Sequence, residues 1–195
     1  MQRFFIRKIF RPRLQNGSAM TLPFAIPTIT TDRLTLRGPQ ASDWPAFRDF
    51  AMSDRARFVG GAKTDHAAFE KFCGFFGHWA VRGFGRLILI DRATTAPLGH
   101  VGPLQLVDTD LPELTWSLRS SAAEGKGYAY EAARAINHWL FTTLGWPGAK
   151  AEIHADNHVS HALALKLGGH VWPGCPVSWM PGGTVYRFRA AEVLQ

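Results

Sequence analysis

The stretch from Glu113 to Ala129 holds the residues whose types and spacing could do the most chemistry. A strand pattern, Glu113-Leu114-Thr115-Trp116-Ser117-Leu118, runs through Arg119-Ser120-Ser121-Ala122-Ala123 into Glu124-Gly125-Lys126-Gly127-Tyr128-Ala129 and a long helical pattern. Glycine lets a backbone turn tightly and come close to a ligand. The first N–H groups of a helix have no internal partner, with about half a positive charge behind them. Such an end holds phosphate with few side-chain charges. Lys126 either adds one or is solvated. Walker A is excluded, because Gly127-Tyr128 follows Lys126 and Ser120 stands where the first glycine belongs. A dinucleotide fingerprint is also incomplete, since Tyr130 takes the place of its third glycine. The order strand, loop, Gly-x-Gly, long helix, strand, Asn, helix is the more specific signal.

The surrounding elements must position that loop. Thr28 to Arg37 alternates around Ile29, Leu34 and Leu36 and reads as a first strand. Ser42 or Asp43 caps a helix with Pro45 in its first turn. Thr64-Asp65 starts a second, with an aromatic stripe through Phe69, Phe72, Phe76 and Trp79 that reads as core, as does Cys73. Arg86–Asp91, Leu98–Val107 and Glu113–Leu118 form an antiparallel meander, its middle strand irregular or at an edge because of Gly99, Gly102 and Pro103. A helix over 127–144 and a strand over 150–155 complete a βαβ unit, so strands 113–118 and 150–155 run parallel. Asp156 or Asn157 caps a helix running to Leu167. Val177–Met180 and Thr184–Ala190 close the chain as a strand pair. The class is α/β with one mixed central sheet in the order β-α-α-β-β-β-α-β-α-β-β.

In this order the pieces resemble the GNAT (GCN5-related N-acetyltransferase) superfamily, nearest to the branch that includes ribosomal-protein N-terminal acetyltransferases. The likeness spans about residues 29–190. It rests on Thr31-Asp32-Arg33-Leu34-Thr35-Leu36-Arg37, on 113–118, on Gly125 to Ala132, and on Asn157-His158-Val159-Ser160 with Lys166-Leu167-Gly168. The resemblance implies acetyl-CoA as donor and a primary amine as acceptor, either a protein N-terminus or a small molecule. It implies that the two parallel strands splay and take the pantetheine arm between them. Backbone near Ser117, Leu118 and Arg119 would bind the arm, and amides of Gly125, Lys126, Gly127, Tyr128 and Ala129 the pyrophosphate. Gly127 and Ala129 fit the family's Gln/Arg-x-x-Gly-x-Gly/Ala loop, but Glu124 sits where Gln or Arg is usual. The family's tyrosine acid, seven residues after the asparagine, is replaced by Ala164.

The chemistry such a site must perform is definite. An attacking amine has to be neutral, and an α-amine of pKa ~7.7–8.0 is about 10–15% neutral at pH 7, against well under ~0.1% for lysine. Glu113 and Glu152 are the candidate bases, each otherwise a strand carboxylate paired with a cation. Ser160, or a water, would protonate the leaving thiolate. Asn157 either bonds the cofactor arm or caps a helix. A non-catalytic acyl-CoA-binding module is the alternative, motivated by Glu124 and the missing tyrosine.

Other candidates are weaker. His154, His158 and His161 lack the carboxylate or cysteine that would complete a metal set, so no metal is expected. Phe58-Val59-Gly60-Gly61 is a lid or a plain loop, His100 a pocket or surface histidine, and His78 a pocket flank. The 195 residues carry a net charge of +7, but residues 1–19 hold five basic residues and no acid. The remainder has 17 basic against 15 acidic residues, which gives no case for nucleic acid. That leader reads as an amphipathic segment, a targeting segment, or, with Met20 as the natural start, a translated upstream stretch or a disordered tail, before a single domain over 20–195. No run of apolar residues suits a membrane span, and two cysteines suit a reducing cytoplasm. A homodimer is compatible with all of this.

Overall fold

Alternating apolar residues and well-placed stops build the elements of this protein. The computed structural model describes residues 25–106, 111–177 and 180–193, so the basic leader lies outside the described residues. The strands are β1 (Ile29–Thr30), β2 (Leu34–Arg37), β3 (Leu87–Asp91), β4 (Pro97–Leu104), β5 (Glu113–Leu118), β6 (Gly148–Ile153), β7 (His170–Val171) and β8 (Thr184–Arg189). The helices are α1 (Trp44–Ala51), α2 (Asp65–Arg82), α3 (Tyr128–His138), α4 (His158–Lys166) and α5 (Ala190–Val193). They surround one mixed sheet in the order β1-β2-β3-β4-β5-β6-β8-β7. No helix among the described residues is long and apolar enough to cross a membrane.

Several local expectations need correction. The single strand over 28–37 is a hairpin, with Ile29 opposite Leu36. Its turn lacks Gly or Pro and is held from afar, because Thr31 Oγ1 and Arg33 N–H both donate to Glu131 of α3. The expected closing strand at Val177–Met180 is absent at Val177 and Met180, and 178–179 lie outside the described residues. β8 pairs instead with His170–Val171. β4 is an interior strand rather than an edge. Pro103 is tolerated there because β3 ends opposite Val101, so the missing N–H costs no ladder bond. The long helix is α-helical only to His138, and a wider π turn covers Trp139–Thr143.

Each face of the sheet has its own core. Leu34, Leu36, Leu87, Leu89, Val101, Leu114, Ala149, Ala151 and Ile153 pack with Ala132, Ala133 and Ile136 of α3 and Ala164 of α4. On the other face, Phe47 and Phe50 of α1 and Phe72 and Phe75 of α2 lie with Ile88. Strand side chains alternate between faces. Glu113, Thr115 and Ser117 of β5, and Lys150 and Glu152 of β6, therefore share the α1/α2 face, while Trp116 looks toward α4.

Candidate active site

The sheet splits where the chemistry was expected. β4 pairs with β5 along all of Glu113–Leu118, and β8 pairs with β6 along all of Gly148–Ile153. Between β5 and β6 the only bridge is Glu113 opposite Lys150, where Lys150 N–H donates to Pro112 O at 3.0 Å. Beyond that vertex the inner edges of both strands diverge. Backbone groups alternate in direction along a strand. Arg119 N–H donates to Leu98 O of β4 at 2.8 Å, so residues 117 and 119 turn their backbone to β4. Trp116 and Leu118 turn theirs into the gap. Of the three backbone positions expected along a cofactor arm, Leu118 turns its groups into the gap, whereas those of Ser117 and Arg119 turn to β4. Arg119 keeps its guanidinium buried instead, toward the Phe47 ring and the charge of Asp43.

The open end of the gap leads to the start of α3. Gly127 has φ +80°, a left-handed value that swings the chain into the helix. Glu131 N–H closes the first helical bond to Gly127 O, so the amides of Tyr128, Ala129 and Tyr130 have no partner within the helix. Arg33 clamps this turn, donating to Lys126 O at 2.8 Å and pairing with Glu131 at 2.7 Å. Glu124 forms a salt bridge with Arg55, which also donates to Leu118 O at 3.4 Å. Arg55, from the segment between α1 and α2, thus brings a guanidinium to residue 124, where the resemblance implies Gln or Arg. Sequence reasoning missed Arg55, which lies 69 residues away from its partner and carries no local signal.

On the α1/α2 face the vertex opens into a cavity of about 390 Å³, roofed by Phe58–Gly60 and lined by Glu113, Ser117, Glu152, Asn157 and Ser160. Phe58 closes against His154 at 5.3 Å between ring centroids. Glu152 is buried and accepts from Lys150 Nζ at 2.8 Å, so the two form a buried ion pair. Glu113 lines the same cavity half-buried, within electrostatic reach of Lys71 and Arg86. Those two cavity cations, with Lys63, were not singled out from the sequence. The signal was present in a lysine set within the aromatic stripe of α2 and an arginine opening an apolar strand. Arg86 lies under α2 with its guanidinium 3.7 Å from the Phe75 ring centroid. Burial lowers it to about 9, which leaves it charged at neutral pH. His100 is buried among Phe47, Phe50 and Phe75, and desolvation holds it well below its ordinary value, hence neutral. His78 bridges Phe84 O and the Gln105 N–H. Cys73 is exposed, contrary to its expected core role, whereas Phe75 is fully buried.

Lys71 donates to Val59 O at 2.9 Å, and desolvation followed by the nearby Arg86 and Lys63 charges lowers it to about 8. The folded protein therefore binds fewer protons than the unfolded chain between pH 8 and 10.5, and stability rises with pH across that window. The penalty is fully present below about 8 and amounts to about 3 kcal/mol. Urea unfolding at pH 7.5 and 10 should show this rise in wild type and lack it in Lys71→Met; parallel changes in both would contradict it.

The α4 side supplies the remaining groups. Asn157 Oδ1 accepts from Ser160 N–H at 3.3 Å, which makes Asn157, not Asp156, the cap of α4. Ser160 Oγ accepts from the Trp116 indole at 3.1 Å, which leaves its own hydrogen to donate elsewhere. His161 spends both ring nitrogens on Tyr186 OH and His154 O. The carboxylates thus stand on one face of the sheet, and Ser160 approaches through Trp116 from the other.

Comparison with known proteins agrees with this geometry. A family model described as an acetyltransferase (GNAT) domain matches residues 33–170. An acetyltransferase from Agrobacterium tumefaciens is 36% identical, with 88% of this chain and 99% of that one covered at a TM-score of 0.79. A GnaT-family acetyltransferase from Bordetella pertussis is 24% identical over 83% of this chain and 97% of that one, at a TM-score of 0.67. A ribosomal-protein alpha-N acetyltransferase in complex with coenzyme A shares the fold at 14% identity, covering 84% of this chain and 98% of that one at a TM-score of 0.69. Among curated proteins, none matches the sequence. The chain belongs to the GNAT acetyltransferase family, and it is an acyl-CoA-dependent acetyltransferase.

Proposed function

We propose that this acetyltransferase moves acetyl from acetyl-CoA to a primary amine by direct attack in the gap between β5 and β6, with Glu113 as base. The observation that carries the reading is the split sheet, in which β5 and β6 are each fully paired outside and bridged at one residue inside. The residues present suit the donor. Amides of Trp116 and Leu118 offer strand-like bonds to an extended amide arm, and the bare amides of Tyr128, Ala129 and Tyr130 suit a diphosphate. Lys126 and Arg33 border that turn.

The acceptor enters from the α1/α2 face. Glu113, directly or through a water, takes the ammonium proton and leaves a neutral amine. The N–C bond forms, and negative charge builds on the carbonyl oxygen, where a gap-facing amide stabilises it. The nitrogen, now cationic with two hydrogens, gives its second proton to solvent as the C–S bond breaks. Ser160 O–H, oriented by Trp116, hydrogen-bonds the departing sulfur while solvent supplies the proton. Glu152 serves differently, keeping the buried Lys150 charge compensated.

Free-thiol release with acetyl-CoA and a panel of amines tests this reading. Turnover is expected with at least one amine, and Ser160→Ala should lower kcat about 10-fold or more through loss of a hydrogen bond to a charged group. Binding of coenzyme A without thiol release across the panel would contradict it and identify a binding module.

A further inference from the structure

We infer that the amine acceptor carries a carboxylate close to its amine, held by Lys71 and Arg86 while the amine faces Glu113; this rests on the reading of the cavity as the acceptor side. Lys63, Lys71 and Arg86 line the cavity wall against Glu113 and Glu152. The Glu152 carboxylate is joined to Lys150 at 2.8 Å, so the wall is cationic even with Glu113 ionised. The cations are neighbours, since Lys71 feels both Arg86 and Lys63 as well as Glu113.

Gathering like charges in a largely apolar pocket is costly unless something compensates them. A bound anion supplies that compensation. Arg86 is suited to it, because its guanidinium, held 3.7 Å from the Phe75 ring centroid on the cavity wall, is a rigid fork of donors that matches a carboxylate. Lys71 adds a flexible point charge from α2, across from Arg86 at the start of β3. The order of signs is also informative. Glu113 stands at the vertex of the gap, where the amine must meet the thioester, and the cations lie on the α2 side. An acceptor with an ammonium at one end and a carboxylate a few bonds away matches both signs. A polyamine or a lysine-rich segment would place its second cation against Lys71 and Arg86. The volume of about 390 Å³ takes a free amino acid or the first residues of an acidic peptide. Both sources share this chemistry.

Matched pairs separate them. The full chain with saturating acetyl-CoA is assayed by thiol release on methionine against its decarboxylated amine, and on Ser-Asp-Ala-Ala amide against Ser-Lys-Ala-Ala amide. The acid-bearing member is expected to have at least a tenfold higher kcat/KM in one pair or both; the pair that shows it identifies the source. Lys71→Met and Arg86→Gln should each shrink that preference severalfold, mostly through KM, with coenzyme A affinity by calorimetry as the check that either variant is folded. Turnover without a charge preference, or a preference for the neutral or cationic member, overturns the inference alone. Coenzyme A binding with no thiol release from any acceptor overturns it together with the reading beneath it.

Discussion

Gly99→Ala is expected to cost about 3 kcal/mol of stability and to lower Tm by roughly 6–12 °C. Gly99 lies in β4 opposite Leu118. A Cβ there would stand 2.1 Å from Ser117 O and 3.1 Å from Leu118 Cα. Both obstacles are backbone, and both belong to a strand pair with bonds along its whole length. No side-chain rotation relieves the overlap, so β4 and β5 have to part. They would part along the segment of β5 that walls the gap, and affinity for coenzyme A should fall with Tm. Gly77 provides the contrast. It is exposed in the middle of α2, and a Cβ there meets nothing within 4 Å. Gly77→Ala should therefore be neutral or stabilise by up to about 1 kcal/mol. Differential scanning calorimetry of both variants checks the pair; a Gly99→Ala transition within 2 °C of wild type would contradict the packing described for this wall.

The second large effect concerns the two glutamates, which share a cavity but not a role. Glu113→Gln is expected to lower kcat by about 10²-fold or more with little change in coenzyme A affinity, because general-base catalysis contributes on that scale. Glu152→Gln should act first on stability. Its carboxylate is buried against Lys150, and removing one member of such a pair leaves a buried charge exposed to no solvent, at a cost of about 3–5 kcal/mol. Steady-state kinetics and urea unfolding on both variants distinguish the roles. A Glu113→Gln enzyme with wild-type kcat across pH 6–9 would remove Glu113 from the chemistry.

Legibility from sequence tracked how local each feature was. The loop from Glu124 to Ala129 and the helix after it were readable, because glycine at positive φ and the 3.6-residue stripe are properties of the segment itself. The parallel relation of β5 and β6 followed from the helix between them. The β1–β2 turn was not readable, since Glu131, about a hundred residues away, holds it in place of glycine or proline. The partner of β8 was misplaced for a similar reason: only two residues, His170 and Val171, form the pairing, too few for an alternating pattern. At the site, Glu124 looked out of character until Arg55 was seen beside it. Direction of backbone groups was also invisible in advance. The odd and even residues of β5 divide between β4 and the gap, and the register that decides this comes from Leu98 and Pro112. Lys71 and Arg86 sat inside apolar patterns and were not singled out.

The claim on which all of this rests is that the unpaired inner edges of β5 and β6, with the amides at the start of α3, form the donor site. Titration calorimetry of the full chain with coenzyme A measures it directly. One molecule should bind per chain at micromolar to sub-millimolar concentration, and Gly127→Val, which puts a branched side chain at φ +80°, should weaken it at least tenfold. No heat of binding from folded protein at millimolar coenzyme A would contradict the account.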